Sequence, residues 1–251
     1  MEFLIAGILY ENCMRFYLLM FFGSIFFSCN KDSRKVLILK TNSFSIVDTT
    51  YAATQYLNES EYGGYPIFYL GRKQDTFKIG RQCDRGRTKW KEDRNIQCCR
   101  NYSNKTLKIF VYTSAQTNSP VEWLSENSEV IRDSTKNYHA FIFSILNMSD
   151  SPVYMGRTFE IFFMHKEARD RKGNWVKIEK KLSELGVCGT GQPNIILQPN
   201  EIIISKVRRY TGSFVTDFRL VFGYNDNVVY SNTFSDFIDE KMIYKIPEKE
   251  Y

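Results

Sequence analysis

The sequence of 251 residues predicts an all-β protein, arranged as two tandem β units behind an N-terminal secretion signal. Aromatic residues make up 16% of the chain, and this enrichment is typical of strands. Apolar residues recur with a period of two in short runs, which turn-forming residues separate. Only two short segments, 121–131 and 180–185, have a pattern that could form helix.

Twelve runs follow this alternation and are the predicted strands. In chain order they are 35–41, 65–70, 76–80, 107–113, 139–146, 153–155, 158–164, 175–178, 195–197, 201–205, 214–222 and 228–234. The run 214–222 is the clearest, because Phe218, Leu220 and Phe222 face one way, while Asp217, Arg219 and Val221 face the other. We therefore expect the apolar set to be buried and the charged set to face outward. The run 139–147 is predicted to be a half-buried strand of the same kind.

The second half of the chain predicts an immunoglobulin-like β-sandwich. It contains about seven predicted strands with turns every 8–12 residues, which is the spacing of such sandwiches. Residues 224–227, Tyr-Asn-Asp-Asn, predict a hairpin turn between two of these strands. The Cys…Trp…Cys spacing of antibody domains is absent, so the sequence predicts a sandwich in the broad sense.

Two observations divide the predicted strands into two units. A strand, a polar turn and a second strand ending in Gly-Arg occupy 70–81, and the same order recurs 76 residues later. The stretch 114–120, Ser-Ala-Gln-Thr-Asn-Ser-Pro, has the polar, proline-ended composition of a linker. We predict a signal peptide over 1–29, an N-terminal β domain over 30–118 and a C-terminal sandwich over 119–251.

The segment 14–29 has the order of a secretion signal. Arg15 precedes twelve uncharged, mostly apolar residues, and the small residue Ser28 then precedes Cys29. The apolar stretch is shorter than the roughly 20 residues that a membrane-spanning helix needs. The residues before Met14 include two glutamates and do not fit such a signal, so Met14 is the predicted start.

Cys29 is the predicted lipidation site. The sequence Phe-Phe-Ser-Cys that ends there resembles the lipobox, and two or more acyl chains anchor a protein stably in a membrane. Ordinary cleavage beside an incidental cysteine is the alternative. Residues 30–33, Asn-Lys-Asp-Ser, resemble the short signal that sends some Bacteroidota-type lipoproteins to the cell surface. The predicted location is the cell envelope, lipid-anchored in the outer membrane, on its periplasmic face or at the cell surface.

The remaining cysteines of the predicted mature chain are candidates for disulfides. They are Cys83, Cys98, Cys99 and Cys188, and an even set in an oxidising compartment favours pairing. We expect Cys83 to pair with one of the neighbours at 98 and 99, and Cys188 with the other. A four-thiolate zinc site is the alternative, although the set lacks a Cys-x-x-Cys pair. No metal and no cofactor are predicted.

Charge gives little indication of a partner. Without residues 1–29 the net charge is +7 over 222 residues, which does not require nucleic acid as a ligand, and none is predicted. The membrane is the predicted partner through the N-terminal lipid. An envelope glycan or protein is the other predicted class of partner.

A long basic segment over 81–104 is the candidate ligand-binding loop. It lacks β alternation and exceeds the 12–15 residues beyond which loops are uncommon in compact domains. Its candidate binding residues are Arg85, Arg87, Lys89, Trp90 and Lys91. A disulfide from Cys83 would close a loop of about 15 residues, worth roughly 3 kcal/mol. Such a loop could hold an anionic glycan, a phosphate or a protein; a solvated loop without a partner is the alternative.

No catalytic residue is predicted. The only histidines are His139 and His165, and both fall at predicted strand ends without an evident nucleophile beside them.

Four acidic residues near Trp175 could form a glycosidase pair or a calcium site, and they are Glu160, Glu167, Asp170 and Glu179. Interspersed lysines and arginines favour instead a solvated hairpin with its turn at Gly173-Asn174. Trp175 is then expected to re-enter the core.

Several segments together resemble a known group of proteins. They are 65–71, 75–76, 159–162, 167–179, 187–189, 197–201, 218–220 and 230–234. In these segments the chain resembles secreted lipoproteins of Bacteroidota-type bacteria that have no known activity. The resemblance covers about residues 35–240 and implies an extracytoplasmic β-sandwich protein, with no assigned site residues.

The predicted function is that of a non-catalytic binding or scaffolding module tethered in the envelope. One alternative is a hydrolase that acts on envelope polymers or glycans through the acids near Trp175. The other is a purely structural assembly component. An exposed aromatic patch would favour the first, and a cleft holding two carboxylates would favour the hydrolase.

Overall fold

The computed structural model describes residues 37–49, 55–58, 63–80, 102–124, 130–157, 160–185, 194–224 and 227–244, without the side chains of 120–136, 185 and 224. Lys35–Tyr251 forms one compact unit. The described residues form fifteen strands, two short 3-10 helices and no α-helix. The predicted all-β class is confirmed, with several sheets packed together, whereas the immunoglobulin-like arrangement stays a prediction.

In chain order, the strands are β1 (Leu37–Lys40), β2 (Ser45–Asp48), β3 (Ile67–Arg72), β4 (Thr76–Ile79), β5 (Leu107–Leu124), β6 (Val130–Asn147), β7 (Val153–Arg157), β8 (Glu160–Ile161), β9 (Met164–Arg169), β10 (Trp175–Lys177), β11 (Asn194–Leu197), β12 (Glu201–Arg208), β13 (Phe214–Tyr224), β14 (Asn227–Tyr230) and β15 (Phe234–Ile238). The 3-10 helices are Leu182–Leu185 and Glu240–Tyr244.

Hydrogen bonding arranges these strands into four sheets. A four-stranded sheet has the order β3-β12-β6-β5, and a five-stranded sheet has the order β10-β9-β13-β14 with β15 also paired to β13. Two three-stranded sheets have the orders β1-β2-β4 and β11-β7-β8. Within these sheets the neighbouring strands are antiparallel, except that β2 runs parallel to β4.

The central strands of the four-stranded sheet, β12 and β6, are buried on both faces. On β12, Ile203 and Val207 belong to the larger core cluster, which includes residues of the five-stranded sheet. Ile202 and Ile204, with the opposite parity, belong to a second cluster that includes residues of β1, β2 and β4. A strand covered on both faces is a nearly continuous apolar run. Residues 140–145 of β6 are likewise all buried, so the prediction of a half-buried strand there is wrong.

The predicted linker at 114–120 lies inside β5. This strand pairs with β6 from Leu107 to Leu124, with register shifts near Tyr112 and Pro120. The polar composition has a structural reason, because the buried Thr117 hydroxyl donates to the carboxylate of Asp48. The linker interpretation is therefore wrong. Strands from both sides of the predicted boundary share one sheet, since β3 pairs with β12.

Three further local predictions can be compared with the structure. The possible helix at 121–131 is wrong, because its described residues belong to the paired strands β5 and β6. The possible helix at 180–185 is only the single 3-10 turn at Leu182–Leu185. The predicted hairpin at 224–227 is confirmed, because β13 and β14 pair antiparallel up to Tyr224 and Asn227.

Candidate functional site

The residues that the sequence singled out most strongly lie outside the described part of the chain. They are the lipidation site Cys29, the loop residues Arg85, Arg87, Lys89, Trp90 and Lys91, and the cysteines Cys83, Cys98, Cys99 and Cys188. Their roles therefore stay predictions. The histidines and the acids near Trp175 lie within the described ranges. Two of them, His165 and Glu167, lie on the side of the five-stranded sheet that faces away from the core, which we call its outward face.

The alternation of side chains along each strand shows which residues belong to this outward face. On β13, Phe218, Leu220 and Phe222 are buried in the larger core, as the sequence predicts. Arg219 lies on the other side, with its side chain 21% exposed. The predicted alternation along β13 is therefore confirmed, although Val221, on the same side as Arg219, is buried as well. On β9 the buried residue Ala168 defines the inward side in the same way.

Trp175 lies on this outward face and not in the core. It pairs in register with Arg169 of β9, and its neighbour Val176 packs against the core from the other side of β10. The guanidinium carbons of Arg169 and Arg219 lie 4.8 Å and 4.3 Å from the centre of the Trp175 ring. The prediction that Trp175 re-enters the core is wrong, because the period of two places it on the side of the arginines.

A fourth side chain extends this stack. The guanidinium carbon of Arg219 also lies 4.1 Å from the centre of the Tyr230 ring, on β14. We call Arg169, Trp175, Arg219 and Tyr230 the arginine–aromatic row. Cation–π contacts of this kind contribute about 0.5–1 kcal/mol each at exposed sites. Four adjacent strands each supply one member, and the strand registers offset these members along the strands, so the row crosses the sheet diagonally.

Carboxylates accompany both arginines of the row. Arg219 donates through Nε and Nη2 to Oε2 of Glu167, each over 2.7 Å, and the two residues are paired in register. Arg169 Nε lies 3.7 Å from Oδ2 of Asp217. Burial acts to raise the pKa of Glu167, but hydrogen bonds with His165 and Arg219 outweigh it and lower that pKa. The charges around the row are therefore balanced.

Asp170 has a structural role in the adjacent turn. Its Oδ1 accepts the backbone N–H groups of Lys172 and Asn174, both over 2.8 Å. Gly173 has a φ of 83°, which favours glycine, and its N–H donates to the carbonyl of Asp170. The predicted turn at Gly173-Asn174 is confirmed.

Glu179 lies on the inward side of the same sheet, fully buried. Its carboxylate accepts the hydroxyls of Tyr65 and Tyr210 and lies 3.3 Å from Lys166 Nζ. Burial acts to raise the pKa of Glu179, but the charge of Lys166 and the tyrosine hydrogen bonds outweigh it and lower that pKa. Since Glu167 faces outward, these two acids lie on opposite faces and cannot flank one cleft.

The two histidines also have surroundings that the sequence did not indicate. His139 lies within β6, and its ring stacks on Tyr56 at 4.2 Å. His165 is 6% exposed, with Nε2 at 3.4 Å from Oε1 of Glu167. Its Nδ1 is buried without a hydrogen-bond partner among the described residues. Neither is placed beside a described nucleophile by a hydrogen bond.

Replacing His165 by Gln should flatten the dependence of stability on pH near neutrality. Burial lowers the pKa of His165 below 6.5, and the charges of Lys181 and Lys177 lower it further against the hydrogen bond with Glu167. The unfolded chain then binds this proton more readily, so the free energy of unfolding should fall as pH drops below about 6.5. Urea unfolding between about pH 5.5 and 7.5, above the carboxylate range, measures this.

The comparison is made in a His139→Gln background, so that only one histidine titrates. An equal slope with and without His165 in that background would contradict the assignment.

Among the described residues, no group of three or more His, Cys, Asp or Glu side chains could hold a metal ion. No helix in the described ranges is long and apolar enough to cross a membrane. Comparison of the chain with protein-family models, curated proteins and solved structures finds no match.

What sequence reasoning missed is the row itself. Trp175, Arg169 and Arg219 were each visible, and the parity of Arg219 on its strand was predicted. Their meeting depends on β9 lying between β10 and β13, which joins positions about 50 residues apart. A search for outward-facing aromatic and arginine residues on adjacent predicted strands could have suggested it.

Proposed function

We propose that this protein is a lipid-anchored, non-catalytic binding module of the cell envelope. The observation that carries the binding role is the arginine–aromatic row on the outward face of the five-stranded sheet. Tyr230 is 42% exposed, and the Arg169 side chain is 43% exposed. Exposed aromatic residues held in a fixed arrangement are typical of recognition surfaces.

The environment of the acidic residues supports binding over hydrolysis. A glycosidase needs two carboxyl groups facing each other across a cleft, about 5–10 Å apart. Glu179 is buried on the inward side, Glu167 is held by Arg219 on the outward side, and Asp170 accepts the hydrogen bonds of a turn. Each of these acids thus has a role in the fold.

The tether is proposed from the sequence. The signal ends in Ser28-Cys29, and acyl chains on Cys29 would hold the folded unit at a membrane surface. The basic loop residues at 85, 87, 89, 90 and 91 would offer a second contact region, separate in sequence from every member of the row. Scaffolding of other envelope components is compatible with the same tether.

Replacing Cys29 by Ala should release the protein from the membrane. The wild-type protein should incorporate an alkyne-labelled fatty acid and enter the detergent phase of a Triton X-114 partition. The variant should remain unlabelled and enter the aqueous phase or accumulate as precursor. Cys13→Ala is the matched control, because Cys13 precedes the predicted start at Met14 and should change neither result.

A wild-type protein that is full-length, unlabelled and aqueous would contradict the tether. The binding role has its own test, in which the full-length protein is the bait for detergent-solubilised native membranes. A bait that retains no envelope component would contradict the binding role.

A further inference from the structure

We propose that the arginine–aromatic row binds a neutral glycan chain lying flat across the five-stranded sheet. This inference rests on the binding role proposed above and names the ligand class of the same surface. The inference depends on four properties of the row: its shape, its aromatic rings, its balanced charge and its immediate surroundings.

The row has the shape of a platform. Its members come from β10, β9, β13 and β14, which are consecutive in the sheet. Its aromatic part is compact, because the ring centres of Trp175 and Tyr230 lie 4.3 Å and 4.1 Å from the same guanidinium carbon and are therefore no more than about 8 Å apart. A short stretch of an extended glycan chain covers this length. Affinity should therefore rise with chain length until the row is covered.

The aromatic rings supply the apolar part of the recognition. Sugar rings present faces of C–H groups, which are apolar and pack well on flat aromatic surfaces. Arg219 covers part of both rings, because its guanidinium carbon lies 4.3 Å from the centre of the Trp175 ring and 4.1 Å from the centre of the Tyr230 ring. Tyr230 is still 42% exposed, so a sugar face can reach its ring. The stack fixes the side chains before binding, and preorganisation reduces the entropy lost on association.

The charge balance determines which glycan fits. Arg219 is held by Glu167 at 2.7 Å, and Arg169 faces Asp217 at 3.7 Å, so each cation has a carboxylate beside it. A sugar hydroxyl both donates and accepts, and it can use a guanidinium and a carboxylate together. An anionic chain would meet Glu167 and Asp217, whose charges repel it. A neutral chain meets no such penalty.

The surroundings of the row favour a glycan over a protein partner. Central residues of protein interfaces are commonly Trp, Tyr and Arg too, but they lie among apolar contacts that exclude water. Around this row the described neighbours include the partly exposed ion pair Lys177–Glu184 at 2.7 Å and the side chain of Asp217, which is 48% exposed. A polar border of this kind suits a hydrated ligand.

Tyr230→Ala should weaken glycan binding without unfolding the protein. The probes are dextran, mannan, a linear β-1,3-glucan and a galactan, with polygalacturonate as the anionic comparison, in native affinity electrophoresis of the full-length, detergent-solubilised protein. At least one neutral polymer should retard the wild type, and polygalacturonate should retard it less. Loss of one stacked ring should weaken binding about 5- to 10-fold, while Tyr230→Phe should retain most of the affinity.

Tyr244→Ala is the matched control, because Tyr244 is 61% exposed and lies outside the row, in the second 3-10 helix. Its retardation should equal that of the wild type, and equal urea midpoints should show that each variant is folded. Three results would overturn the inference: no neutral polymer retards the wild type, polygalacturonate is preferred, or Tyr230→Ala binds as well as Tyr244→Ala. If the same bait still retains an envelope protein, the binding role stands and only the glycan is wrong.

Discussion

Replacing Lys206 by Met should lower the free energy of unfolding by about 3–5 kcal/mol. Lys206 is fully buried in the four-stranded sheet, with Nζ 2.7 Å from Oδ2 of Asp48 and 2.7 Å from the carbonyl of Asn118. Asp48 is 1% exposed. Removing the lysine therefore leaves a buried carboxylate without its nearest cation. Urea unfolding followed by tryptophan fluorescence measures the change.

Two further variants separate the ion pair from simple loss of packing. The double variant Lys206→Met with Asp48→Asn should recover part of the loss, because a neutral amide can still accept the Thr117 hydroxyl. Lys108→Met, at an exposed position on β5, should change stability by less than about 0.5 kcal/mol. A Lys206 variant as stable as the Lys108 variant would show that the buried pair contributes nothing.

Replacing Gly212 by Ala should destabilise the protein by more than about 3 kcal/mol, or prevent folding. Gly212 has a φ of 142°, which is unfavourable for residues with a side chain. A Cβ atom there would lie 2.0 Å from the carbonyl carbon of Ile238 and 2.1 Å from the backbone nitrogen of Asp239. Both atoms belong to the backbone, so no side-chain rotation relieves the overlap.

Gly64→Ala is the matched control for this substitution. Its added Cβ would meet only Oε2 of Glu160, at 3.9 Å, which is ordinary contact. We expect this variant to be expressed in soluble form with a urea midpoint close to that of the wild type. Equal midpoints for the two alanine variants would contradict the close approach of the turn at Gly212 to the end of β15.

Local alternation was enough to predict part of the fold and one element of the site. On β13 the apolar residues are buried and Arg219 faces outward, because a strand's side chains alternate regardless of its partners. The contacts of Glu179 could not be predicted in this way. Its partner Tyr65 is 114 residues away, and the sequence does not indicate that they meet.

The errors have a common physical cause, which is tertiary contact overriding local composition. The stretch 114–120 is polar and resembles a linker, but it belongs to β5, where the buried Thr117 hydroxyl contacts Asp48, 69 residues away. The run 140–145 is half-buried in the sequence-based prediction, although both faces of β6 are covered there. Which face is covered depends on strands elsewhere in the chain, so a single run cannot show it.

The position of β12 between β3 and β6 also bears on how the chain acquires its structure. Ser205 Oγ donates to the carbonyl of Pro66, so partners separated by 139 residues must meet before this sheet is complete. Such distant closures make folding slow, on the order of milliseconds to seconds. A nascent chain that ends before Glu201 exposes β3 and β6 as unpaired, apolar edges, which are prone to aggregate. Biogenesis therefore requires these edges to stay shielded until synthesis reaches the last fifth of the polypeptide.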